Sequence, residues 1–255
     1  IISIILKHLK KSRFKIKCIS CDGDRFYNKF FEKQFNFIYS IIKDKSFELF
    51  IIEFSKLEEI WISDPLHLFK NDRTRIMNNN VIINPFIESS YFNSEEINEI
   101  LELGSILTDR SSVGKMRDVY PTSLFTFNNS IKLFRCGKFE AFVYIFLYSL
   151  WNECLLNKKI DNGTRLYLLS ILLQILIVLY EELSTKKLPV NIGFKKSKNN
   201  EYVTIFTLEK MQRWISTVAL QIFVIYLNDL RTGLNRLRSH CTEQQIGQIH
   251  SLCLQ

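Results

Sequence analysis

The chain is 255 residues long, and 47% of its residues are hydrophobic, including 21 Phe and 10 Tyr. These values exclude a disordered tail, because such a chain buries a sizeable core in one large domain or two small ones. Its six cysteines are too few for a disulfide framework at this length. The formal charge of +8 favours an anionic partner, either nucleic acid or a membrane surface, and a plain lysine-rich surface is the alternative explanation.

The N-terminal part predicts a small α/β unit. Residues 1–12 have helical spacing, and residues 14–21 read as a strand that ends at Asp-Gly-Asp. Two helical patterns follow, over 27–42 and 46–56, and the run EEIWISDPLHL then contains a second strand, with Asp64 just past its end. The opening run lacks the order of a signal peptide, so we expect a nuclear or cytoplasmic protein that is not secreted.

Beyond Asn71 the pattern becomes helical. A connector leads to Ser94, and a lysine-rich loop over residues 184–202 interrupts the later helices. Helices are predicted over 94–107, 121–135, 139–156, 162–184 and 207–230, and a last one begins at Thr242. The predicted fold class is therefore an α/β fragment interrupted by a large all-α insertion, and predominantly helical overall.

The most apolar run is LYLLSILLQILIVLY, residues 166–180. It is shorter than the roughly 18–20 residues that a membrane span needs, and Gln174 lies near its middle. We therefore expect a helix that is buried in a protein core and no membrane partner. Membrane attachment through residues 143–180 is the weaker alternative, because Asn152, Glu153 and Arg165 lie within these helices.

Acidic residues follow both predicted strands. Asp22 stands at the end of the first, where open α/β sheets present ligand groups and a carboxylate can hold a divalent metal. An ordinary Asp-Gly turn is the alternative explanation. Asp64 and His67 follow the second strand, and there the alternative is an Asp-capped helix with a buried, hydrogen-bonded His.

A third carboxylate, Glu243, is predicted in the first turn of the last helix, where it could also simply complement the helix dipole. Three acidic residues far apart in sequence are typical of two-metal phosphoryl transfer, in which two Mg²⁺ ions lie about 4 Å apart. Phosphate contacts are predicted for the basic side chains that follow His67 and for those in the lysine-rich loop. These side chains are Lys70, Arg73, Arg75, Lys195, Lys196 and Lys198.

The ordered set CDGD, WISDPLHLFKN, a helical stretch and SHCTEQQIGQI resembles DDE/D transposases of the P-element and hAT groups. Their RNase H-like catalytic fold is split by a helical insertion. The resemblance implies that Asp22 is the second catalytic acid and Glu243 the third, and that both bind Mg²⁺ or Mn²⁺. It also implies supporting roles for Asp24, Asp64 and His67. Asp72 departs from the pattern, because its charge is unfavourable if DNA passes there.

The resemblance implies an RNase H-like first part over residues 1–71, an insertion over 72–232, and a final RNase H-like helix over 233–255. It places the first catalytic aspartate upstream of Ile1, so we expect the chain to be a fragment. The implied function is metal-dependent DNA strand cleavage and transfer by the intact protein, acting as a homodimer or higher oligomer on DNA. A catalytically inactive, transposon-derived module that binds DNA or protein is the alternative.

Overall fold

The computed structural model describes residues 18–21, 28–43, 60–82, 91–185, 201–204 and 207–240. The predicted helices over 1–12 and 46–56, and the one from Thr242, lie outside these ranges. In the α/β part the elements are β1 (Cys18–Cys21), α1 (Asn28–Lys43), β2 (Ile60–Ser63) and α2 (Pro65–Asn78). They are followed by β3 (Asn79–Ile82), β4 (Tyr91–Phe92), α3 (Ser94–Leu101), α4 (Ser105–Thr108), α5 (Ser112–Met116) and α6 (Val119–Leu124). The remaining elements are α7 (Phe127–Arg135), α8 (Phe139–Leu156), α9 (Asn162–Thr185), β5 (Glu201–Thr204) and α10 (Leu208–His240).

The strands form two small sheets. β1 and β2 pair in parallel, with Cys21 opposite Ser63. β3 lies in the middle of the second sheet, antiparallel to β4 and parallel to β5. The predicted connector before Ser94 and the end of the lysine-rich loop therefore contain strands, which corrects the sequence interpretation. Strands of two to four residues are too short to show an alternating pattern.

The helical prediction is confirmed in outline, and the described part of the chain is predominantly helical. The predicted helix over 94–107 is broken where Glu102 adopts a left-handed conformation, with φ 54°, and where Gly104 also has a positive φ. The predicted helix over 121–135 is likewise broken, because Thr126 is extended and its side chain accepts the N–H of Asn129 to begin α7. The backbone cap at Glu102 and the side-chain cap by Thr126 set these boundaries.

Aromatic side chains from α2, α8 and α10 fill the centre of the core. Tyr148 stacks on Phe125 with ring centroids 4.3 Å apart and meets Trp214 edge-on at 4.8 Å. Phe69 and Trp151 pack edge-on against each other at 5.7 Å. All five side chains are buried, and edge-to-face and offset contacts of this kind add to the stabilisation from burial.

Helix α10 connects this core to the α/β part. Its residues Ala219, Leu220 and Phe223 pack with Ile38 and Ile41 of α1 in a second buried cluster. The helix runs unbroken across the predicted domain boundary at 232/233, and α2 runs across the boundary at 71/72. Both predicted boundaries therefore fall inside helices that pack on the main core.

Helices α8 and α9 are long and apolar enough, by length and composition alone, to cross a membrane. α9 is buried only along a stripe that includes Leu169, Leu172 and Leu176, while Tyr167 and Val178 are exposed. The expectation that this helix is buried in a core thus holds for one of its faces. Length and composition do not by themselves establish an association with membranes.

Candidate functional site

The carboxyl ends of β1 and β2 lie side by side, because the two strands are parallel and Cys21 is opposite Ser63. The backbone N–H of Ser63 donates to the Thr217 hydroxyl at 3.4 Å, which fixes the end of β2 against α10. Asp64 is the next residue after β2, and Asp22 is the next in sequence after β1. Asp22 and Asp24 lie outside the described residues.

Asp64 caps helix α2. Its carboxylate accepts the N–H of Leu66 at 2.9 Å, and its carbonyl accepts the N–H of Leu68 at 3.1 Å. Pro65 occupies the first helical position, where the missing N–H costs nothing. His67 follows in the first turn and is half-buried. Of the alternative explanation from the sequence, the Asp cap is therefore confirmed, whereas His67 is half-buried and not buried.

Arg73 occupies a different place from the one that the sequence suggested. Its side chain is fully buried, and its guanidinium donates to the carbonyls of Ile106, Asp109 and Gly114. It also lies over the ring of Tyr120, 4.8 Å from the centroid. Burial lowers the pKa of Arg73 from its usual value. The predicted phosphate contact is therefore corrected: in this structure Arg73 joins α2 to the turns around α4 and α5.

The segment that Arg73 holds is organised around Asp109. Its carboxylate accepts the backbone N–H of Ser111 at 3.0 Å and, at 3.4 Å, the hydroxyl of Tyr120. Hydrogen bonds from Ser111 are the main reason that the pKa of Asp109 is lowered. A Cβ at Gly114 would lie 2.3 Å from the Asp109 carboxyl carbon, so Gly114 permits this close approach. These contacts hold together the turns around α4 and α5.

The other two basic residues of α2 engage acidic side chains. Lys70 pairs with Asp118 at 2.9 Å and is mostly covered. Arg75 donates to the carboxylate of Asp72 at 2.9 Å, but its side chain is 44% exposed. Arg75 therefore keeps access to solvent, whereas Lys70 could meet a phosphate only in exchange for Asp118. Lys195, Lys196 and Lys198 lie outside the described residues.

A buried ionic cluster, not anticipated from the sequence, is centred on Asp72 of α2. Lys210 of α10 donates to Asp72 at 2.7 Å, and its ammonium lies 4.7 Å from the centroid of the Trp214 ring. Burial lowers the pKa of Lys210 to about 8, although Asp72 opposes the shift. Burial, and then the charge of Asp72, raises the pKa of Tyr144 well above its usual value. Asp72 is 1% exposed, so the unfavourable charge expected along a DNA path points into the core.

Within the described ranges no three His, Cys, Asp or Glu side chains come together as metal ligands. Asp22, Asp24 and Glu243, for which the sequence predicted metal binding or support of the metal site, lie outside those ranges. Comparison with family models, curated proteins and solved structures finds no match.

Proposed function

We propose that this chain is part of a DDE/D-type DNA transposase that cleaves and joins DNA strands with Mg²⁺ or Mn²⁺. The supporting observation is the parallel pairing of β1 with β2, since each strand is followed in sequence by an aspartate, Asp22 and Asp64. Carboxylates that follow the ends of adjacent parallel strands are well placed for divalent ions. The partner is DNA, bound by a homodimer or higher oligomer.

In this proposal the site residues have different roles. Asp22 and Glu243 hold the metal, Asp24 and His67 support them, and Asp64 positions His67 by capping α2. The exposed guanidinium of Arg75 and the lysine-rich loop contact the DNA backbone, which makes binding depend on salt rather than on base sequence. Arg73 has no part in DNA contact.

A second candidate is a catalytically inactive, transposon-derived module that binds DNA or protein. The observation that favours it is the capping bond of Asp64, whose carboxylate is already engaged by the Leu66 N–H. A helix cap explains Asp64 without any metal.

Metal binding by the chain separates the two candidates. Titration with Mn²⁺, followed by calorimetry and by paramagnetic broadening of NMR signals, is the direct readout. We expect Asp22→Asn and Glu243→Gln each to weaken binding at least about tenfold, because losing a carboxylate ligand removes charge from the ion's coordination shell. Glu99→Gln, on the exposed side of α3, is the control and leaves binding unchanged. If the parent chain binds no Mn²⁺, or if neither site variant differs from it, the enzyme proposal is wrong and the module remains.

A further inference from the structure

Helices α7 and α8 form a hairpin, and backbone hydrogen bonds hold the turn at its tip. The turn between them contains Gly137, with φ 73°, a conformation that favours glycine. Its N–H donates to the Phe134 carbonyl, and the N–H of Lys138 donates to the Leu133 carbonyl, both at 3.0 Å. This pair of bonds is a Schellman closure, which fixes the direction in which the chain leaves α7.

Two phenylalanines flank this turn and stand in solvent. Phe134 is 51% exposed and Phe139 is 55% exposed, with ring centroids 5.6 Å apart and planes at 77°. Phe142 supports them from below, its ring 5.0 Å from that of Phe134. Exposed Ile131 and Val143 extend the apolar surface. Large rings held in water this way forgo the free energy of burial, so the surface is suited to a partner.

Basic side chains adjoin the rings. Arg135 follows Phe134 and Lys138 precedes Phe139, while Lys132 lies two positions before Phe134 and so faces another side of α7. Glu140 follows Phe139 in sequence. Lys132 and Arg135 are exposed, and Lys138 has only a distant partner in Glu96, with Nζ 3.8 Å from the carboxylate oxygen. An occupant of this surface therefore needs flat apolar groups and negative charge at the same place.

We propose that the tip of the α7–α8 hairpin binds single-stranded nucleic acid. Unpaired bases stack on Phe134 and Phe139, and the phosphates between them meet Arg135 and Lys138. Because the ring planes are nearly perpendicular, the two rings take different bases of one strand. A duplex keeps its base faces covered and cannot use the rings. The choice of nucleic acid as the anion rests on the proposed function, but the surface needs no metal.

A second copy of the chain fits this surface less well. Two exposed rings and two aliphatic neighbours offer far less than the roughly 800 Å² that each partner buries in a stable complex. The cations would also repel those of an identical surface. An anionic membrane would attract the same residues, so it is included as an outcome of the test.

The test is fluorescence anisotropy of a labelled oligothymidylate of about 12 nucleotides, in low salt with EDTA. We expect Phe134→Ala/Phe139→Ala to lower its affinity about 10- to 100-fold, and Phe134→Trp/Phe139→Trp to retain it. Tyr167→Ala/Val178→Ala removes equally exposed apolar groups from α9 and is the matched control, with no expected change. Thermal melting by circular dichroism verifies that every variant is folded.

Three results would overturn the inference. The alanine pair could bind the oligonucleotide as tightly as the parent. It could lose binding to phosphatidylcholine–phosphatidylserine vesicles and keep binding to the oligonucleotide, which would assign the surface to lipid. It could disrupt a dimer in sedimentation, which would assign the surface to self-association. Because the anisotropy assay contains EDTA, it does not depend on metal binding. A negative Mn²⁺ titration would overturn the enzyme proposal without affecting oligonucleotide binding, and a loss of oligonucleotide binding would not affect the Mn²⁺ result.

Discussion

Lys210 and Asp72 form an ion pair through the core, with Nζ 2.7 Å from Oδ1, although 138 positions separate them in sequence. Their side chains are 10% and 1% exposed. Arg75 shares the same carboxylate oxygen from the solvent side. The pair joins α2 to the first turn of α10, so it links the α/β part of the molecule to the helix that closes the core.

Removing the negative partner is expected to be costly. Asp72→Asn leaves the Lys210 ammonium buried without a counterion, and we expect the free energy of unfolding to fall by about 3–5 kcal/mol. Urea denaturation followed by circular dichroism measures it. The double variant Asp72→Leu/Lys210→Met, which replaces the pair with apolar groups, recovers most of the loss. A single variant within about 0.5 kcal/mol of the parent would show that the pair is not formed in solution.

The pH dependence of stability has a definite sign near Lys210. Its pKa is about 8 when folded and 10.5 ordinarily, so between these values the unfolded chain binds more protons than the folded one. The contribution of Lys210 to the unfolding free energy therefore rises with pH in this window, by at most about 1.4 kcal/mol per pH unit. The unfolding free energy of the parent minus that of Lys210→Met, measured from pH 7 to 10, is expected to rise with pH. A flat or falling difference would contradict the lowered pKa of Lys210.

Above pH 10 tyrosines act in the opposite direction. Burial and the hydrogen bond to Glu181 raise the pKa of Tyr39 to about 12, so the folded chain keeps a proton that the unfolded chain loses. Stability from this group falls between pH 10 and 12. Tyr39→Phe removes that part of the decline in denaturation curves, whereas Tyr167→Phe, on an exposed tyrosine, leaves it in place.

The two neighbouring arginines of α2 are expected to differ in their response to lysine substitution. Arg73→Lys loses a guanidinium that donates to three buried or half-buried carbonyls and leaves them unsatisfied, at an expected cost of about 2–4 kcal/mol. Arg75→Lys changes a half-exposed side chain and costs less than about 1 kcal/mol. Equal losses of stability in urea denaturation would argue against the buried position of Arg73.

The capping role of Asp64 can be tested separately from the role of its charge. Asp64→Ala removes the acceptor for the Leu66 N–H and is expected to cost about 1 kcal/mol, while Asp64→Asn keeps the cap and the stability. If Asp64→Asn nevertheless alters Mn²⁺ binding, the carboxylate has a role beyond capping. An equal loss of stability in both variants would contradict the capping geometry.

The sequence predicted those helices and strands whose bounds are determined by a local pattern of residues. Helix α8 has the predicted bounds because its residues are strongly apolar and end at a polar turn, and β2 ends where Asp64 and Pro65 begin a helix. The strands β3 and β5 were missed, because Asn79–Ile82 and Glu201–Thr204 are only four residues long and pair with each other across more than a hundred residues. No local signal exists for such pairing.

The candidate site was likewise predicted only where neighbouring residues in the sequence determine the geometry. The cap by Asp64 follows from the order Asp-Pro, whereas the inward direction of Arg73 and Asp72 is fixed by carbonyls and by a lysine that are distant in sequence. Spacing on α2 placed Lys70, Arg73 and Arg75 together near one end of a strand. It could not show that one of them turns toward the core, because that depends on where α4, α5 and α10 pack.

The position of α10 at the end of the described chain has a consequence for synthesis on the ribosome. β3 pairs with Glu201–Thr204, Asp72 pairs with Lys210, and Ser63 of β2 donates a hydrogen bond to Thr217. The earlier member of each pair is therefore synthesised long before the later one. During that interval the apolar surfaces of α8 and α9 that pack against α10 are uncovered. At elongation rates of about 5–20 residues per second, the delay lasts seconds. The nascent chain is therefore expected to need a chaperone until α10 has left the exit tunnel, and to aggregate when translation stops before it.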